Sequence, residues 1–336
     1  MVTEMESDVK IQVVEADALE FEADVLVLKY AQDLFGLDEK VVHRLEMVGF
    51  DIQSILPENR KFRLVNSMGQ IAAQSVLFIG VEPLVEFRYQ EIREFARRSL
   101  EALAELAPET KHVCMTLHGA NYGLDEIEAF DSEIAGLVEA LTTGSYPDHL
   151  EMISIVEYGP ERAQRLQETL SELLPTGHVD EIPDESLENQ SRSASERLRS
   201  AGYSSESKPH IFVAMSFAEE MDDVYHYGIL RAVNAAGFVC ERADFLNYTG
   251  DVLDWLKRRI QTSTLVIADL SKANPNVYLE VGYAWGCGVP TVLVVSDPSE
   301  LPFDVRGQRY LPYKRIQDLE ESLKRELQGL RPRLDL

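Results

Sequence analysis

The run Thr264–Val295, TLVIADLSKANPNVYLEVGYAWGCGVPTVLVV, decides the fold. It opens on one short apolar segment, Thr264–Leu270, and closes on another, Thr291–Val295. Both are strand-length, rich in β-branched residues, and too uniformly apolar to face water on either side. Between them Asn274 suits an N-cap, Pro275 suits the first helical position, and Val277–Cys287 reads as a helix. A strand, a helix and a second strand at this spacing form a parallel crossover, which needs a sheet covered on both faces.

The same alternation extends backwards. Ile211–Met215 (IFVAM) reads as a buried strand, and a helix follows over Val224–Ala236, closed by Gly237. Phe238–Arg242 is a second strand, and Val252–Thr262 is a helix with Leu253, Leu256 and Ile260 on one side. The order β-α-β-α-β-α-β over residues 208–330 predicts a parallel α/β domain.

Upstream, the stretch DEIPDESLENQSRSASERLRSAGYSSESKP is rich in Ser, Glu and Arg and almost empty of aromatic or β-branched residues. It cannot bury enough apolar area to offset its ordering entropy, so residues 181–207 are expected to form a flexible linker, with a polar helix over Glu188–Ser200 as the other reading. Before it, residues 8–180 hold five strand patterns: Val9–Glu15, Ala23–Lys29, Ser75–Val81, His112–Leu117 and Met152–Glu157. Helical patterns over Tyr89–Leu106 and Ile127–Leu141 lie among the last three, which argues for a second α/β domain.

Composition narrows the function. The 336 residues include 32 Lys plus Arg against 58 Asp plus Glu, a formal net charge of −26. So acidic a surface repels phosphate backbones and anionic bilayers, and neither nucleic acid nor membrane is expected as a partner. The longest apolar runs, such as Val289–Val295, fall far short of the about 20 residues of a membrane span. The opening MVTEMESD lacks a basic region followed by an apolar one, so a cytoplasmic location is expected. Cys114, Cys240 and Cys287 have no metal-ligand spacing and are expected to be reduced, buried and inert.

In an open parallel sheet, ligands bind beyond the carboxyl ends of the strands. Ser216 and Phe217 follow the first strand of the C-terminal domain, Asp244 follows the second, and Asp269 ends the third. Asp222 and Asp223 read as a solvated helix start. Glu280 lies on the second turn of the helix after TLVIADL, and a semi-buried carboxylate there could stabilise or attack an oxocarbenium-like centre. A surface glutamate in the first turns of a helix is the common alternative. No HExxH or carboxylate–histidine cluster points to a metal.

FVAMSF (Phe212–Phe217), Asp222-Asp223, Thr249–Ser271, Asn274–Val294 and PFDVRGQRYLPY (Pro302–Tyr313) resemble the TIR-like and nucleoside 2-deoxyribosyltransferase superfamily. The resemblance implies a flavodoxin-like catalytic domain that cleaves N-glycosidic bonds, with Glu280 as the catalytic carboxylate and Asp269 orienting base or ribose. Ser216, Phe217, Tyr227, Asp244, Asn276 and Tyr283 become candidate substrate contacts, with Phe217 or Tyr283 stacking the base. NAD is the leading substrate implied, no cofactor or metal is required, and a homo-oligomer is expected. It further implies a stress or antiphage effector that depletes NAD. The alternatives are nucleoside or deoxynucleotide base exchange, and a nucleotide-binding signalling module without turnover.

The N-terminal domain carries a fainter likeness. VKIQVVEADALEFEADVLVLKYAQD (Val9–Asp33) is similar to the opening of macro domains and of leucyl aminopeptidase N-terminal domains. This implies a three-layer α/β domain acting as a ligand sensor, with Asp17 matching an acid that contacts adenine. HGANYGLDEIEAF (His118–Phe130) looks like a phosphate loop, where Gly119 and Gly123 would let backbone amides approach a diphosphate. Lys29-Tyr30-Ala31-Gln32 and Phe35-Gly36-Leu37 depart from the pattern. His43, His112, His118 and His149 read as ordinary surface or strand histidines, with His118 as one possible loop contact.

Overall fold

Each apolar run becomes a strand because only a doubly covered sheet removes its whole length from water. The computed structural model describes residues 7–84, 86–120, 123–179, 188–242, 251–301 and 303–330. The chain divides into two compact units, Met1–Ala120 with Glu126–Ser205, and Asn121–Asp125 with Glu206–Leu336.

The strands of the first unit are β1 (Ser7–Glu15), β2 (Val25–Tyr30), β3 (Phe62–Asn66), β4 (Ser75–Gly80), β5 (His112–Met115), β6 (Met152–Glu157) and β7 (His178–Val179). They lie in the order β3-β4-β2-β5-β6-β1-β7. The interior pairs are parallel, and β3 and β7 close the two edges antiparallel. Its helices are α1 (Leu37–Met47), α2 (Ile52–Ile55), α3 (Tyr89–Leu106), α4 (Glu126–Thr142), α5 (Pro160–Leu173) and α6 (Glu188–Ser200). Leu26, Leu28, Val76, Phe78 and Cys114 pack on one sheet face with Val41, Val42 and Leu45 of α1. Gly136 lets α4 press onto α3, since a Cβ there would lie 2.1 Å from the Arg93 carbonyl oxygen.

Over Glu188–Ser200 the structure has the polar helix that was the other reading, in place of the expected linker. α6 is helical, and Arg197 forks onto the buried Asp131 at 2.9 and 3.0 Å. Arg93 donates through Nη1 to the carbonyls of Leu198 and Ala201 at 2.8 and 2.7 Å. A segment too polar to make its own core is thus held by charge-assisted bonds to a neighbouring one.

The second unit holds β8 (His210–Ala214), β9 (Val239–Glu241), β10 (Leu265–Asp269), β11 (Thr291–Val295) and β12 (Tyr310–Pro312). Their order is β12-β11-β10-β8-β9, with every neighbour parallel. This is the flavodoxin-like doubly wound order. The helix expected over Val224–Ala236 is a π-helix, Val224–Leu230, followed by α7 (Arg231–Ala235). Beyond it come α8 (Asp251–Thr262), α9 (Pro275–Gly286), α10 (Phe303–Arg306) and α11 (Ile316–Leu330). Residues 303–312 of the closing stretch supply α10 and the edge strand β12.

Alternate residues of the strands sort the helices onto two faces. Ile211, Val213, Leu265 and Ile267 meet the π-helix, α7 and Leu319, Leu323 and Leu327 of α11. Phe212, Ala214, Val266 and Ala268 meet Trp255 and Ile260 of α8 and Val277, Val281 and Ala284 of α9. A short piece of chain from the first half belongs here too. Asp125 is fully buried and accepts the backbone N–H of Cys240 at 2.7 Å.

Candidate functional site

The carboxyl ends of β8, β10, β11 and β12 share one edge of the second sheet. At that edge the Asn274 side chain accepts the N–H of Asn276 at 2.9 Å and caps α9, with Pro275 in the first turn as expected. The Asn276 side chain itself is exposed.

Glu280 follows on the second turn, half-buried. Burial pushes its carboxyl up to about 7. Among the described residues the carboxylate has neither a hydrogen bond nor an ion pair, so none of them offsets its desolvation. Tyr283, one turn on, is also half-buried.

Asp269 is 3% exposed and its oxygens are occupied. Oδ1 accepts the Ser271 N–H at 2.8 Å, and Oδ2 accepts the Tyr313 hydroxyl at 2.8 Å. Ser271 Oγ lies 3.2 Å from that hydroxyl and accepts the Ser296 N–H at 2.8 Å. Burial raises the Asp269 carboxyl, against the lowering effect of the Ser271 and Tyr313 bonds. The network laces the ends of β10, β11 and β12 together. Ser271 and Tyr313 escaped the sequence reading because their partners lie up to 44 residues away.

At the end of β8, Ser216 Oγ accepts the Ala218 N–H at 3.3 Å, and Phe217 is 38% exposed. The Arg242 guanidinium sits 5.4 Å from the Phe217 ring centre and 3.9 Å from that of Tyr225. It also stands 3.8 Å from Asp222, whose side chain is half-exposed. Arg242 is buried, and its only signal in the sequence is a charge ending an apolar strand. Tyr227 lies on the π-helix, on the opposite sheet face from α9, with the Arg231 guanidinium 4.8 Å from its ring centre. Asp244 falls outside the described residues.

In the first unit, Asp17 Oδ1 accepts the Leu19 N–H at 2.9 Å in a local turn. Gly119 has φ 86°. Gly123, which belongs to the second unit, has φ 90° and lies so near the Trp255 ring that a Cβ would stand 2.5 Å from it. Phe35-Gly36-Leu37 is the entry to α1, where buried Asp38 accepts the N–H groups of Phe35 and Glu39. Burial raises Asp38 and lowers the buried Lys29.

Two sequence expectations need correction. His118 is not a surface residue. It is 5% exposed, and its Nδ1 lies 3.2 Å from Oε2 of the fully buried Glu133. His112 is half-buried beside Ser154 Oγ at 2.9 Å. Cys114 and Cys240 are buried, with the Cys114 thiol pushed up to about 12 by burial, but Cys287 is exposed. Among the described residues, no group of three or more His, Cys, Asp or Glu could hold a metal, and no helix is long and apolar enough to cross a membrane.

No protein-family model matches this chain, and no curated protein matches it. Among solved structures it is similar to the CMP N-glycosidase BcmB of Clostridium botulinum, at 18% identity over 35% of this chain and 98% of that one, TM-score 0.31. An ADPR-bound macrodomain of Oceanobacillus iheyensis is 16% identical over 49% of this chain and 93% of that one, TM-score 0.38. The Trypanosoma brucei macrodomain in complex with ADP-ribose is 16% identical over 48% of this chain and 69% of that one, TM-score 0.37. These are partial likenesses of α/β fold, and the chemistry that follows rests on this chain's own side chains.

Proposed function

We propose that the second unit cleaves the N-glycosidic bond of a nucleotide, with NAD as the leading substrate and Glu280 as the essential carboxylate. One observation carries this reading: Glu280 is a half-buried carboxylate without a partner among the described residues, held near pH 7 by desolvation at the ligand-binding edge of a parallel sheet.

The chemistry follows from charge. As the C1–N bond lengthens, its electron pair leaves with the base and C1 gains oxocarbenium character. Nicotinamide departs neutral, because it starts as a pyridinium. Ionised Glu280 either screens the positive C1 or bonds to it; water then adds its oxygen to C1, frees the carboxylate where it had bonded, and gives up its proton to solvent. Asp269, its oxygens held by Ser271 and Tyr313, acts by shaping the floor of the site. Phe217, 38% exposed, offers a ring for base stacking, with the Arg242 guanidinium 5.4 Å from its centre.

The test is nicotinamide release from NAD by the full chain and by Glu280→Gln at high protein concentration. Turnover by the parent and none by the variant is expected. Equal release by both overturns the assignment of Glu280. No release from NAD, but exchange between a deoxynucleoside and a free base, would move the reading to transfer. The effector role rests on the same chemistry, and cytoplasmic expression should lower cellular NAD with the parent but not with Glu280→Gln.

A further inference from the structure

We propose that the first unit binds a small zwitterion, an α-amino acid in its chemistry, in a recess between α3 and the loop that precedes β3. The walls include Asn59 and Arg60 of that loop, Glu82 beyond β4, and Glu94, Phe95 and Arg98 of α3. The space they bound is about 330 Å3 and opens to solvent.

The loop wall is fixed in place. Arg60 has φ 61°, a left-handed conformation that disfavours any residue with a Cβ. Its N–H donates to the Gly80 carbonyl at 3.0 Å, and the Gly80 N–H donates to the Lys61 carbonyl at 2.8 Å. A Cβ on Gly80 would stand 2.0 Å from the Glu58 carbonyl oxygen, so the loop presses directly on the end of β4. Asn59 and Arg60 are thereby held at the recess before any ligand arrives.

The walls carry polar groups without partners. Arg98 has neither a hydrogen bond nor an ion pair among the described residues, and burial lowers its guanidinium from the ordinary value. Its neighbours on α3 are satisfied, Arg93 by Glu139 at 2.9 Å and Arg97 by Glu101. Glu94 precedes Arg98 by one turn, yet no ion pair joins them. In a unit of net charge −21, an arginine with no carboxylate partner is unexplained by the fold alone. Asn59 donates through Nδ2 to Glu82 Oε2 at 2.5 Å, but its Oδ1 is buried and accepts nothing. A ligand N–H would relieve the desolvation of that oxygen.

These groups select the ligand. The Arg98 fork fits one carboxylate. Asn59 Oδ1 can accept from an ammonium, and the exposed Glu94 supplies the matching charge. A phosphate or other multiply charged anion would face Glu82, Glu91 and Glu94 across the same space, and the field of the whole acidic unit. A zwitterion has no net charge and engages both ends. Val81 and Phe95, both buried, line the recess with apolar surface for a side chain. The site lies within the first unit, so it does not depend on turnover at Glu280.

Thermal unfolding of the full chain with each standard L-amino acid at about 10 mM tests this, with calorimetric titration of any that stabilises. At least one with an apolar side chain should raise Tm. The amine and the carboxylic acid that each keep only one of its charged groups should not. Arg98→Gln breaks no bond within the chain, so it should keep the parent's Tm without ligand and bind about 10-fold more weakly or worse. Glu94→Gln should weaken binding several-fold. Stabilisation by no amino acid overturns the proposal, as does binding that Arg98→Gln leaves intact. Equal binding of the lone amine or lone acid overturns the zwitterion. If Arg98→Gln loses Tm without ligand, Glu94→Gln decides, and undiminished binding by that variant overturns the site.

Discussion

Glu280 shows how a site can cost stability. Its carboxyl rises from an ordinary 4.5 to about 7 through burial, so the folded chain holds the proton more tightly than the unfolded one. That contribution is fully present below about pH 4.5 and is lost as the pH climbs through about 7. At ~1.4 kcal/mol per pH unit, the charge costs at most about 3 kcal/mol at pH 8. Glu280→Gln should therefore be more stable than the parent at pH 8 by up to that amount, and no more stable at pH 4, by denaturant titration at both. With glycosidic turnover, the parent's rate should rise through about pH 7 as the carboxylate ionises. Asp269 contrasts with it, because each oxygen has a donor. Tyr313→Phe should cost about 1–3 kcal/mol by leaving one buried oxygen unpaired. It should also push the Asp269 carboxyl further up, since the lost bond favoured the ionised form. A titration showing a fall would contradict that role. The acidic residues at the strand ends were legible as polar punctuation after apolar runs. Their pairing was not, because Ser271, Ser296 and Tyr313 meet only when three strands lie side by side.

Elements were legible wherever one physical cause dominated. β11 and α3 fall at Thr291–Val295 and Tyr89–Leu106, as their apolar patterns required. α9 starts at its Asn-Pro cap for the same local reason. Residues 188–205 were harder, since their stability comes from outside the segment. Arg93, on α3, binds carbonyls at the end of α6 and pairs with Glu139 at 2.9 Å. Arg93→Ala should destabilise the first unit by about 3 kcal/mol and speed amide exchange over residues 197–205 before exchange in β2 or β5. Uniform acceleration across the unit would show that α6 does not depend on this arginine. The π-helix was read as α because its apolar spacing barely distinguishes the two. Gly228 lies against Leu319 of α11, where an added Cβ would come within 2.8 Å, so packing favours the wider turn there.

At the scale of the whole molecule, the charge of −26 is a self-repulsion concentrated in the first unit, which carries −21 of it. Added salt should raise Tm as the Debye length falls below about 10 Å, and a Tm indifferent to salt would show the acidic groups to be locally balanced. The second unit is also discontinuous in sequence. Asp125 supplies the acceptor for the buried Cys240 amide, so Asp125→Ala should cost about 1–3 kcal/mol, measured by thermal unfolding. A fragment of residues 206–330 should be destabilised likewise. By itself the sequence determined the two α/β layers, the caps, the acidic surface and the carboxylate on the second turn of α9, because propensity, periodicity and charge act over a few neighbouring residues. Only the tertiary structure decided which carboxylates are paired, that Asp269 has donors on both oxygens while Glu280 has no partner among the described residues, and that a polar segment is docked, because partners far apart in the chain become neighbours only when the sheets form.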